Sequence, residues 1–220
     1  MRSLHAALLG AALVAGFANA SPLEPRNGAE YTTLAAPQPT QAVGKKVEVV
    51  EFFAYHCPAC NALEPTLNAW IKKQGDNIVV RRIHYPFQGP LDPEARLFLT
   101  LEAMGKLDEY HQRVFRAVHV ERKRLLRDED IIAWANSNGL DKATFMQAWN
   151  SFGVTTKLRR LAQQVQAYKV GGTPTIIIDG KYVTSPDLVA DANRIDAPAP
   201  VMQATTQVLD ALVARAAAGK

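Results

Sequence analysis

The most constraining feature of this chain is a nearly unbroken apolar run, VEVVEFFAY, from Val47 to Tyr55, with a helical pattern directly behind it. β-Branched and aromatic residues crowd the run, and its apolarity barely alternates. A strand buried on both faces reads this way, and such strands lie at the centre of α/β sheets. From Pro58 the period changes: Ala59, Leu63, Leu67 and Trp70 recur at helical spacing. Pro58 suits a first helical turn, where no backbone N–H is required, whereas Pro65 lies deeper and is expected to kink the helix. NIVVRRIHYPF, Asn77 to Phe87, reads as a second core strand. The order strand, helix, strand implies a parallel βαβ unit.

Between Leu91 and Tyr168 the strand signal disappears and three to five helical segments follow as one block. One of them, DEDIIAWANSNG, is expected to start on an Asp cap and to stop at Asn138-Gly139. Another, TTKLRRLAQQVQAYKV, is expected to take Thr155 or Thr156 as its cap. Strand signals return in TPTIIIDGKYV, where Asp179-Gly180 marks a hairpin between Thr175–Ile178 and Lys181–Val183. Val201 to Ala218 reads as a closing helix. Ahead of Val47, only Tyr31 to Leu34 looks like a short strand.

The opening MRSLHAALLGAALVAGFANA combines a basic residue, Arg2, an apolar run from Ala6 to Phe17, and small residues at Ala18 and Ala20. This is the pattern of a secretory signal peptide with cleavage after Ala20; a bilayer span needs roughly 20 apolar residues, more than this run holds. The net charge of +4 is too mild to argue for nucleic acid. The basic run ERKRLLRDED is flanked by acids and reads as a solvated helix junction.

Export gives the two cysteines, Cys57 and Cys60, their meaning. Outside the cytosol disulfides persist, but a cross-link spanning two residues closes almost no loop and adds little stability. Structural zinc wants four ligands, and no second Cys pair or recognised histidine spacing supplies them. The pair falls past the carboxyl end of a core strand and at the start of a helix. Open α/β sheets bind ligands at that end, and a helix N-terminus stabilises a thiolate. Cys57 is therefore expected at the N-cap with its sulfur outward and its pKa depressed. Cys60, one turn in, is expected to be buried. Cys57 would attack, or be attacked when oxidised, and Cys60 would resolve the mixed disulfide.

A strand ending in EFFAYHCPAC, a helical block, then GGTPTIII and a hairpin resembles the DsbA family of thiol:disulfide oxidoreductases, over nearly the whole chain after the signal. The resemblance implies a thioredoxin-like α/β fold with an inserted α-helical domain. Its divisions would be a signal peptide at 1–20, a thioredoxin-like first part at 21–88, the insertion at 89–165, and a second part with the closing helix at 166–220. It implies that Cys57 is the nucleophile and Cys60 its partner. Pro174 corresponds to the family's cis-proline, and the Thr173 backbone would pair with an extended substrate. His56, Pro58 and Ala59 would flank the substrate site. Glu51, a carboxylate inside a buried strand, should have a raised pKa. It matches an acidic residue beneath the family's active site and would move the proton of Cys60; pairing with a lysine, or reaching solvent, is the rival reading. His56, when protonated, would stabilise the Cys57 thiolate; a packed surface ring is the rival reading.

The implied activity is the introduction of disulfides into reduced, unfolded exported proteins in the periplasm, by a monomer reoxidised through a quinone-linked membrane partner of the DsbB type. No cofactor and no metal is implied. Two departures bear on direction: Ala59 stands where many oxidising members have histidine, and Thr173 where they often have valine. They leave a weaker oxidant, a reductase or an isomerase open. The related isomerases carry an N-terminal dimerisation domain, for which Ser21 to Lys46 is too short. A non-catalytic holdase on the same scaffold is the reading from another class.

Overall fold

The computed structural model describes residues 24–220. The expected signal peptide therefore lies outside the described residues. Five strands form one mixed sheet in the order β1-β5-β4-β2-β3: β1 (Thr32–Thr33), β2 (Val47–Phe53), β3 (Ile78–His84), β4 (Thr175–Ile178) and β5 (Tyr182–Thr184). β2 and β3 run parallel, with α1 (Pro58–Gln74) between them in sequence, while β4 lies antiparallel to β2 and β5 antiparallel to β4. Every residue of β2 is buried, as its continuous apolarity required. The strand is shorter than the apolar run that announces it. Ala54 and Tyr55 leave the ladder because the Ala54 carbonyl turns to accept the Cys57 N–H, 3.2 Å away.

Helices cover both faces. On one, Val47, Val49, Ile176 and Ile178 meet Leu63, Leu67 and Trp70 of α1 and Val208, Leu209 and Leu212 of α8 (Pro198–Ala218). The other face, with Val50, Phe52 and Ile177, carries the helical block. That block holds α2 (Pro93–Ala103), α3 (Leu107–His119), α4 (Asp128–Ser137), α5 (Lys142–Trp149) and α6 (Phe152–Ala167), all between β3 and β4. α2 and α3 part at Gly105, whose φ of +64° favours glycine. A short helix, α7 (Pro186–Asn193), had no counterpart in the sequence reading; Ser185 caps it and Pro186 opens it.

Two expected caps move. α4 begins at Asp128 itself, with Arg127 at the cap position and no side-chain cap bond, so the acids sit inside the first turn and face the helix dipole. α6 starts on Ser151, whose Oγ accepts the Val154 N–H at 3.2 Å; Gly153 is drawn into the helix and Thr155 lies a turn inside it. Pro65 does not end α1, which continues through it. The hairpin turn has positive φ at both Asp179 (52°) and Gly180 (64°), as a type I′ turn requires. Among the described residues, no helix is long and apolar enough to cross a membrane.

Candidate active site

The β2–α1 junction places Cys57 at the N-cap of α1, with φ −75° and ψ 115°, and Pro58 at the first helical position. The Cys60 N–H, one of the helix's unpaired first-turn donors, points at Cys57 Sγ from 3.3 Å. Because β4 is antiparallel to β2, its N-terminal end meets the carboxyl end of β2, pairing Thr175 with Phe52. The residues before β4 thus arrive at the cysteines. The Thr173–Pro174 bond is cis, and the Thr173 carbonyl accepts from Cys57 Sγ at 3.4 Å. Thr175 Oγ1 donates to the Gly172 carbonyl at 2.8 Å and ties this loop down.

Both cysteines are free thiols. Cys60 is wholly buried, and burial pushes its thiol far above the ordinary range. Cys57 has the opposite fate. The hydrogen bond with Cys60 outweighs burial and, helped by the Thr173 side chain and the Cys60 and Ala59 amides, draws its pKa from 9.0 to about 6. One expectation needs correcting: the Cys57 sulfur does not stand outward. The residue is only 9% exposed, since the Thr173 loop lies against it. Pro58 is exposed and Ala59 half-buried on the rim.

Glu51 lies beneath, 1% exposed, and pairs across the parallel register with Arg82, whose Nε donates to Oε2 at 2.9 Å. Burial raises its pKa to about 7 despite that guanidinium. Arg82 continues to Asn68 Oδ1 (2.9 Å) and Glu64 (3.5 Å), and Glu64 lies 3.3 Å from His111 Nε2. His111 Nδ1 bonds the Tyr55 hydroxyl at 3.1 Å. Burial alone would raise the Glu64 pKa, but His111 and Arg82 bring it below the ordinary value. Sequence reasoning did not find Arg82, Glu64 or His111. Two signals existed: a cation in a core strand beside an acid in its neighbour, and a glutamate four residues after Cys60 on the buried face of α1. His56, half-exposed before the nucleophile, bonds through Nδ1 to buried Glu94 of α2, another residue the sequence did not mark.

A thioredoxin-like sheet with a Cys-x-x-Cys at a helix start and a cis-proline loop against it defines a thiol:disulfide oxidoreductase of thioredoxin fold. Residues 48–200 match the family model for the DSBA-like thioredoxin domain. The chain is 38% identical over 210 residues to the thiol:disulfide interchange protein DsbA of Burkholderia cepacia, covering 96% of this chain and 94% of that one. With the DsbA of Pseudomonas syringae pv. tomato the identity is 35% over 223 residues and the whole of both chains. The crystal structure of Pseudomonas aeruginosa DsbA superposes with a TM-score of 0.74 at 34% identity, covering 88% of this chain and 96% of that one. The chain belongs to the DsbA family, and its activity is disulfide-forming thiol exchange.

Proposed function

We propose that Cys57 is the nucleophile and Cys60 the resolving thiol of an oxidant that donates its disulfide to reduced, unfolded exported proteins. The observation that carries this is the split between the sulfurs: Cys57 ionises near 6, whereas Cys60 stays protonated. A dithiol whose reduced form is stabilised as thiolate gives its disulfide away readily, a relation for which DsbA is itself the standing example. The side chain of Thr173, one of the two departures from the oxidising pattern, is among the groups that lower the Cys57 pKa, and so acts in the same direction as the imidazole absent at Ala59. Glu51 supplies the proton that Cys60 takes when it leaves. An extended substrate pairs with the backbone at Thr173, next to Pro174, and passes over His56, Pro58 and Ala59. Exposed Phe87 and Val120 offer apolar contact beside it.

The apolar opening with its small residues before Ser21 supports cleavage after Ala20 and residence in the periplasm. Reoxidation falls to a quinone-linked membrane protein of the DsbB type, and the working species is a monomer. The thioredoxin-like part divides at about residues 88 and 166 around the helices that separate β3 from β4. Two variants test the roles. Cys57→Ser should abolish oxidation of a reduced model protein, and Cys60→Ser should accumulate mixed disulfides visible by mass spectrometry. Wild-type turnover by Cys57→Ser would end this reading, and equilibration with glutathione at a thioredoxin-like potential would reverse the direction.

A further inference from the structure

We propose that His56 is the general base that accepts the proton of the incoming substrate thiol, and that Glu94 is the positioning residue holding it for that task. This rests on the Cys57–Cys60 exchange above. Three features of the structure point to it.

The first is the geometry of the pair. Glu94, in the first turn of α2, is 1% exposed, and its Oε2 takes the His56 Nδ1 side of the ring. A carboxylate on Nδ1 holds the proton there and leaves Nε2 as the acceptor, as in other carboxylate–imidazole bases. No group among the described residues hydrogen-bonds His56 Nε2. The ring is half-exposed, adjoins the nucleophile in sequence, and packs edge-on against exposed Phe87 with centroids 4.9 Å apart.

The second is that, among the described residues, Glu94 has no other cation. Its Oε1 is buried without a partner. His84 of β3 lies 3.9 Å from Oε2, but its Nε2 accepts the Tyr55 N–H and its burial holds it neutral. Asp92, capping α2, adds a like charge. His119 of α3 is occupied with the Tyr55 carbonyl at 2.8 Å. A buried carboxylate left with one imidazole is a costly arrangement unless that imidazole has a use.

The third is that the main stabilisation of the thiolate comes from groups other than His56. The groups that most lower the Cys57 pKa are Cys60, the Thr173 side chain and the helix amides; the attraction between His56 and the Cys57 thiolate is smaller, and it vanishes in the oxidised form, where there is no thiolate and the neutral ring can accept a proton. This adds a second role to the thiolate stabilisation that the sequence suggested for His56.

The step balances. The substrate S–H gives its proton to His56 Nε2 and its sulfur attacks Cys57 Sγ. The Cys57–Cys60 bond breaks, and Cys60 departs with the electron pair and takes up a proton from Glu51. A second substrate thiol gives its proton to solvent and attacks the substrate sulfur of the mixed disulfide. Cys57 leaves as thiolate, and two electrons have passed from substrate to enzyme. A free thiol of pKa about 8.5 is only about 3% ionised at pH 7, so a base in place has at most about thirtyfold to gain.

The test is the rate at which the oxidised protein oxidises a dithiol peptide from about pH 5 to 9, with glutathione equilibria measured in parallel. His56→Gln should slow the reaction about tenfold at pH 7, converge on wild type above the substrate thiol's pKa, and leave the equilibrium constant unchanged. Glu94→Gln should shift the rising limb to lower pH, because the ring loses the carboxylate that raises its pKa. An unchanged rate at pH 7 in His56→Gln overturns the proposal, as does a rate loss that tracks the equilibrium constant. Should Glu94→Gln fail to fold, His56→Gln decides alone. Neither result touches the exchange chemistry, which Cys57→Ser tests separately.

Discussion

Glu51→Gln should make the oxidised protein less sensitive to alkaline pH than wild type. In the folded chain this buried carboxyl ionises near 7, against 4.5 without burial. A raised carboxyl pKa contributes stability that is fully present below the unfolded value and is lost as pH rises through the folded one. Titrating between these two values costs wild type about 2.5 kcal/mol between pH 5 and 8.5, and about 3 kcal/mol in full. The amide removes this dependence. It also weakens one of Arg82's bonds, at about 1 kcal/mol, but Asn68 and Glu64 still partner that guanidinium. The variant should thus be slightly less stable than wild type at pH 5 and more stable at pH 8.5. Urea unfolding of the oxidised forms across this range, where neither sulfur titrates, measures the difference. Parallel stability curves for the two proteins would refute the reasoning, since Glu51 would then ionise alike in the folded and unfolded states.

The reduced protein should show a thiolate ultraviolet absorbance with a midpoint near 6, from Cys57 alone; a midpoint near 8.5 would remove the basis for oxidising power. Because this pKa is depressed, the associated stability of the reduced form is present above the unfolded thiol's pKa. It is lost as pH falls through 6, and after allowance for solvent screening amounts to roughly 2 kcal/mol. Gly180→Ala should lower stability by roughly 2 kcal/mol in urea unfolding, because φ is +64° and a Cβ would lie 2.1 Å from the Gln38 carbonyl oxygen; an unchanged midpoint would show that the turn relaxes.

Much of the architecture was legible because it is written in local periodicity. Continuous apolarity marked β2, a change of period marked α1, and Asp179-Gly180 marked the hairpin. Caps were read less well. α6 starts on Ser151, a good cap that lies four residues ahead of the expected Thr155, and α4 has Arg127 at its cap position although Asp128 looked better, since a helix starts where packing of its apolar face allows and not always at the strongest local cap. At the site, Cys57, Cys60 and Glu51 stood out as residues odd for their surroundings.

Sequence by itself determined the chemistry: two thiols at a strand-to-helix junction, where first-turn amides favour a thiolate whatever the rest of the chain does. Tertiary structure alone decided which groups tune and serve those thiols. Thr173 reaches Cys57 across 116 residues only because β4 runs antiparallel to β2. Arg82 meets Glu51 only through the parallel register with β3. Glu94 meets His56 only because α2 packs its first turn beside the nucleophile. Such pairings depend on strand order and helix docking, which no local period records, and burial then turns each of them into a shifted pKa.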